Sequence, residues 1–175
     1  MRAFISINTP ESIKQEILKI QKQLPEFKGK LTEKENLHLT LKFLGEISPL
    51  LLDNVKNALS KIRFSPLSLS ISEIGTFSFQ GNPRIVWLKL EGTEELQRKI
   101  DNSLSDLLPK EARFMSHLTI ARVKYVDNVK LFNQEISKIK ISPLSWQGNS
   151  FKLMSSTLHR EGPVYETLEE YKTQQ

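Results

Sequence analysis

Apolar residues recur along this chain with two periods that keep replacing one another. Residues 2–7, RAFISI, alternate well enough for a strand. Thr9 then reads as an N-cap with Pro10 at the first helical position, and Ile13, Ile17, Ile20 and Leu24 follow at helical spacing. After a loop, residues 36–44, NLHLTLKFL, return to alternation. Ser48 and Pro49 open a second helix, striped by Leu52, Val55, Leu59 and Ile62. Residues 66–79 alternate as a long strand with Leu67, Leu69 and Ile71 on one face, and Gly81, Asn82 and Pro83 break it.

The same order then begins again. Residues 84–90, RIVWLKL, read as a strand. Thr93 is placed to cap a helix with Glu94 and Glu95 in its first turn and Leu96, Ile100, Leu104 and Leu107 as its apolar side. SHLTIARV at 116–123 is the next strand. Val129, Phe132, Ile136 and Ile139 make the last helical stripe, and strand pattern resumes from about Leu144 into FKLMSSTLHR. The letters repeat as well: DNVK, SKI and SPLS occur in that order from Asp53 and again from Asp127. A long period occurring only twice predicts a pseudo-twofold pair rather than a solenoid. The expected fold is α+β, with two pseudo-twofold-related lobes, each strand–helix–strand–helix–strand, and mostly antiparallel sheets lining a central cleft. The chain is read as one bilobal domain, 1–175, with lobe one at about 1–81, lobe two at about 82–160 and a C-terminal segment at 161–175.

The two HLT strands carry the chemistry. Alternate residues of a strand share a face, so Leu37, Leu39 and Leu41 turn to the core while His38, Thr40 and Lys42 turn away from it. In the second copy Leu118 and Ile120 go inward, and His117 and Thr119 outward. Each lobe thus offers one imidazole and one hydroxyl side by side. Two histidines flanking a phosphodiester can divide the proton transfers, one taking a proton from the attacking oxygen and the other giving one to the leaving oxygen. The hydroxyls of Thr40 and Thr119 can donate to non-bridging oxygens where charge grows. The residues leave the division of labour open, with a lean towards His117 activating water and His38 protonating the leaving oxygen. No metal and no cofactor are needed.

Composition narrows the choice. The sequence has no cysteine and only three histidines, which removes disulfides, thiolate chemistry and cysteine-bound zinc and argues against a histidine-rich metal site. A net charge of +5 suits a polyanion such as RNA, but only loosely. No stretch is long and apolar enough for a membrane span, and MRAFISINTP lacks the pattern of a signal peptide, so a cytoplasmic monomer is the default expectation. Lys42, Arg84, Lys124, Lys152 and Arg160 are candidates for a basic rim. Trp87 and Trp146 are candidates for base stacking, with core packing the stronger expectation for Trp87. His159 has no visible partner and reads as a loop or strand-end residue.

HLTL at 38–41 and HLTI at 117–120 are also where a family resemblance lies. With ENLHLTLKFLGE, NPRIVWLKL, HLTIAR and SSTLHREGPVYE, which together span nearly the whole chain, the sequence resembles the 2H phosphoesterases, and within them the RNA 2′,3′-cyclic phosphodiesterases, or 2′-5′ RNA ligases, of the LigT family. The resemblance implies metal-independent hydrolysis of RNA ends, or nucleotides, bearing a 2′,3′-cyclic phosphate to the 2′-phosphate, and the reverse 2′-5′ joining of RNA. It implies His38 and His117 as the acid–base pair and Thr40, Thr119 and Arg122 as phosphate-binding residues. Phe43, at the place corresponding to Arg122, is implied to meet a base or ribose. Simple alternation sets Arg122 on the core face of its strand, so a bulge or strong twist is needed to bring it into the cleft. Ser116 stands where the family commonly has proline. Two other readings remain: a 2H enzyme acting on small cyclic nucleotides or ADP-ribose cyclic phosphate, and a non-catalytic RNA-binding module.

Overall fold

The computed structural model describes residues 1–160 and 162–174. The first repeat runs β1 (Arg2–Asn8), α1 (Glu11–Gln21), β2 (Lys28–Leu31), a single 3₁₀ turn, β3 (His38–Glu46), α2 (Pro49–Leu59) and β4 (Leu67–Phe79). The second runs β5 (Asn82–Glu91), α3 (Glu94–Ser103), β6 (His117–Tyr125), α4 (Val129–Lys138), β7 (Leu144–Gly148) and β8 (Ser150–His159), and β9 (Gly162–Lys172) follows. The expected order is present, with β2 and β9 added and the last expected strand region divided at Asn149 into β7 and β8, which lie far apart in the sheet. β2, KGKL, exposes all four residues, so no apolar alternation announces it. In β9, GPVYETLEEYK, acidic residues mask the pattern.

Helix starts follow the capping rules in part. Ser48 accepts from the Leu51 N–H at 3.2 Å with Pro49 behind it, as expected. Asn128 caps α4 in the same way, at 3.0 Å to the Leu131 N–H. The two threonines do not cap. α1 begins one residue later than expected, with Pro10 itself at the N-cap and Thr9 buried. The Thr93 hydroxyl donates instead to Ser116 Oγ at 2.7 Å, which ties the start of α3 to the entrance of β6.

The strands form one antiparallel sheet in the order β7-β4-β5-β6-β3-β1-β8-β9, with β2 on the free part of β6. Two ladder positions expose its symmetry. At the centre, β3 and β6 meet at the single pair Leu39–Leu118, the residues that follow the two motif histidines. β4 meets β7 about Leu69–Trp146, the residues that follow the two SPLS segments. A twofold axis perpendicular to an antiparallel ladder pairs a residue with its own equivalent, and both pairs have this property. The ends of the repeats are exchanged across the axis: β4 pairs with β5, and β8 with β1.

The helices cover one face, and the support they give is crossed too. α1 packs against β6 and α3 against β3. The apolar stripes fill the space between. Ile17, Val55, Leu59, Ile100, Leu118 and Ile120 are all completely buried, each contributing roughly 1.5–3 kcal/mol of burial. Among the described residues, no helix is long and apolar enough to cross a membrane.

Candidate active site

His38 is the first residue of β3 and His117 the first of β6. The Leu39–Leu118 pair fixes how the strands meet. His38 and Thr40 flank this junction on one strand, and His117 and Thr119 flank it on the other. All four side chains line one cavity of about 530 Å³ on the face opposite the helices.

The two strands share one burial pattern and one irregularity. In HLTLKFLGE and in HLTIARVKY alternation holds for four residues and then breaks, with two consecutive residues buried and the next exposed. The ladders give the reason. Ser6 pairs with Thr40 but Ile5 with Lys42, which leaves Leu41 extra. Trp87 pairs with Thr119 but Val86 with Ala121, which leaves Ile120 extra. A β-bulge of one residue reverses the facing of everything beyond it. Arg122 therefore joins His117 and Thr119 on the cavity wall, and Phe43 joins His38 and Thr40 with 69% of its surface exposed.

The same bulge overturns one expectation. Lys42 does not belong to a basic rim: it is 3% exposed on the core side. Its ammonium donates to Asp101 Oδ1 of α3 at 2.5 Å and to the Pro109 carbonyl at 2.7 Å, while Asp101 Oδ2 accepts the Glu111 N–H at 2.9 Å. Lys42 and the Glu111 N–H hold the Asp101 carboxyl below its ordinary value against the opposing effect of burial. At the second bulge, Gln21 of α1 donates to the Ile120 carbonyl at 2.8 Å and to the Thr32 carbonyl at 2.9 Å. Each bulge is thus braced by a buried polar side chain, and each brace reaches a helix of the other repeat. Neither Gln21 nor Asp101 is visible as a site residue in the sequence, because both lie on helical faces otherwise read as apolar stripes.

Aromatic rings hold the histidines. His38 stacks on Phe4 with centroids 5.0 Å apart and meets the edge of Tyr165 at 5.1 Å. Phe77 meets His117 edge to face at 5.0 Å. Phe77 lies on β4 and Tyr165 on β9, so the exchanged ends of the chain buttress the histidines. Tyr165 escaped notice in the sequence because β9 did. Each imidazole is also anchored to the backbone two residues before it: His117 Nδ1 lies 2.8 Å from the Met115 carbonyl oxygen, and His38 bonds the Asn36 backbone. An Nδ1–H donated in this way leaves Nε2 as the free nitrogen.

The environment acts strongly on His38. Desolvation pushes its imidazole down to about 4, with the charges of Lys14 and Arg122 acting in the same direction and the Asn36 bond opposing them. His38 is accordingly neutral across the neutral pH range in the free protein.

The remaining candidates separate cleanly. Trp87 is buried against Phe77, as core packing predicts. Trp146 packs partly buried against the core. Arg84 is exposed and donates to the Lys124 carbonyl. His159 is an exposed strand-end residue. Ser116 is buried, and its carbonyl accepts the Leu90 N–H at 3.1 Å, so a serine there serves both the β5 and the α3 connections. Among the described residues, no group of three or more His, Cys, Asp or Glu side chains is placed to hold a metal ion.

Two segments, residues 7–87 and 90–165, each match the family described as LigT-like phosphoesterase. The chain belongs to that family. The two matches part within β5, the strand that opens the second repeat, and each half of this LigT-like phosphoesterase carries one HLT strand. Similar proteins named RNA 2′,3′-cyclic phosphodiesterase occur in Methanocaldococcus jannaschii, 39% identical over 98% of this chain and 100% of that protein, and in Archaeoglobus fulgidus, 35% identical over 96% and 98%. Among solved structures, a Thermus thermophilus protein, TT0787, superposes with a TM-score of 0.80 at 27% identity, covering 98% of this chain and 97% of its own. Escherichia coli LigT complexed with 3′-AMP shares the fold with a TM-score of 0.80 at 24% identity, covering 99% and 98%.

Proposed function

We propose that this LigT-like phosphoesterase hydrolyses the 2′,3′-cyclic phosphate at RNA ends to a 2′-phosphate without a metal, and that the same site run in reverse joins RNA through a 2′-5′ linkage. The reading takes residues 1–175 as one bilobal domain. The observation that carries it is the single Leu39–Leu118 pair, which brings two imidazoles, two hydroxyls and one guanidinium into one cavity. The relatives named RNA 2′,3′-cyclic phosphodiesterase support the substrate class.

In this mechanism the cyclic phosphate lies between the two HLT strands. Thr40, Thr119 and Arg122 donate to the non-bridging oxygens as negative charge develops in the transition state. His38 is neutral at neutral pH and so has a free nitrogen to accept the water proton, which assigns it the base role, the reverse of the lean drawn from the sequence. The water oxygen bonds to phosphorus, the bond from phosphorus to O3′ breaks, and His117 delivers a proton to O3′. The product carries a 2′-phosphate and a free 3′-hydroxyl, and the imidazoles regain their starting states by exchanging one proton with solvent. Phe43, exposed at the cavity edge, offers a face to the base or ribose.

The test is incubation with an RNA ending in a 2′,3′-cyclic phosphate, chelator present, followed by assignment of the phosphate position. A 2′-phosphate that disappears in His38→Ala and His117→Ala is the expected result. An unchanged cyclic end would overturn the reading for RNA. Parallel incubation with small cyclic nucleotides and with ADP-ribose cyclic phosphate would then separate a small-molecule enzyme from a binding module.

A further inference from the structure

A second cavity, of about 430 Å³, lies on the other side of His38. It shares Asn36, His38, Pro163 and Tyr165 with the reaction cavity, so the two are separated by little more than the imidazole and the phenol ring. Its other lining residues include Ser6, Asn8, Lys14, Met154 and Thr167.

The pseudo-twofold axis shows that this space is specific to one half. Ser6 pairs with Thr40 as Trp87 pairs with Thr119, so Ser6 and Trp87 are equivalent positions. In the second half the Trp87 indole fills the space over Gly75, where an added Cβ would lie 2.4 Å from the ring. In the first half the corresponding pair is Ser6 and Lys152. A hydroxyl and a cation thus replace a large ring and a glycine, and the volume stays open. Ser6 is 1% exposed, and its Oγ has no hydrogen-bond partner among the described residues. A buried hydroxyl without a partner is costly unless something supplies one. Neither Lys14 nor Lys152 forms an ion pair among the described residues, and one exposed carboxylate, Glu35, sits at the wall.

We propose that this cavity is a second nucleotide subsite, which takes the ribose and phosphodiester of the nucleotide preceding the cyclic end. The inference rests on the cyclic phosphodiesterase reading above. A terminal ribose whose O2′ and O3′ are both engaged in the cyclic phosphate continues covalently only through its 5′ oxygen. A chain anchored in the reaction cavity therefore extends towards an adjoining space that is polar and has a cation at hand. Lys14 meets the phosphodiester, and Ser6, Asn8 and Asn36 supply hydrogen bonds to ribose and phosphate. The enzyme then prefers an oligonucleotide end to a mononucleotide.

The experiment compares kcat/KM for a dinucleotide ending in a 2′,3′-cyclic phosphate with that for the mononucleotide 2′,3′-cyclic phosphate. A dinucleotide advantage on the order of tenfold or more is expected, equivalent to about 1.4 kcal/mol. Thr167→Trp, an exposed position that fills the cavity from outside, and Lys14→Gln should each bring the ratio close to one, with melting curves showing that both variants fold. A ratio near one in the native protein, or one that survives Thr167→Trp, overturns the subsite. Calorimetric titration with the dinucleotide and mononucleotide 2′-phosphates separates this from failure of the activity itself. If neither cyclic substrate turns over but the dinucleotide binds tighter and loses that advantage in Thr167→Trp, the subsite stands and the phosphodiesterase reading falls. Equal affinities overturn the subsite.

Discussion

Leu39 and Leu118 pair with each other at the only ladder position that joins the two motif-bearing strands. Both are essentially buried, and each follows the histidine of its own repeat. Their contact brings two local motifs, 79 positions apart by the numbers His38 and His117, to the lining of one cavity. Beyond that pair the strands carry other partners, β1 on one side and β5 and β2 on the other, so the cavity opens where the ladder ends.

The histidine pair gives the first prediction. His38→Ala and His117→Ala should each lower kcat by on the order of a hundredfold or more, as expected for loss of an acid or base. Melting temperatures would show that the variants fold. Turnover within a few fold of the native rate in either variant would remove that histidine from the mechanism.

Acidification should reveal His38 in stability as well as in rate. The folded imidazole is held at about 4 against an ordinary 6.5, so between those values the unfolded chain binds the extra proton. Stability attributable to this group is complete above about pH 6.5 and is lost as pH falls towards 4. Denaturant titrations should show this slope in the native protein and a shallower one in His38→Phe, which cannot titrate. If His38 is the base, the acid limb of kcat/KM should lie well below pH 6.5.

Lys42 and Asp101 make a buried pair whose value depends on having both members. Lys42→Met alone should cost about 3–5 kcal/mol, because it strands a buried carboxylate. Adding Asp101→Leu should recover much of that loss, since apolar replacement of a whole buried pair is often close to neutral. If the double variant instead lost the sum of what Lys42→Met and Asp101→Leu lose singly, measured by urea unfolding, the pair would not be coupled.

The residues just beyond the bulges should affect substrate rather than folding. Phe43→Ala, at a position 69% exposed, should leave stability within about 0.5 kcal/mol and raise KM by on the order of tenfold if a base stacks there. Arg122→Ala should lower kcat/KM by on the order of tenfold to a hundredfold, the worth of a hydrogen bond to a charged group. An unchanged KM in Phe43→Ala would place the base elsewhere.

By itself the sequence determined the four helices and the strands other than β2 and β9, the repetition of their order, and that His38 and Thr40, like His117 and Thr119, share a face within their strand. These are short-range properties: period, capping chemistry and motif spacing are written in consecutive residues. Tertiary structure alone decided the rest. Lys42 and Arg122 exchanged their expected faces because a bulge is a disagreement between two strands, and one strand's sequence does not contain it. β9 and Tyr165 became part of the site through pairing with β8, and α1 and α3 came to brace each other's repeat through packing across the axis. The low proton affinity of His38 belongs to the same class. It comes from Phe4, Tyr165, Lys14 and Arg122, drawn from four different elements, and desolvation by such neighbours exists only once the chain has folded around the ring.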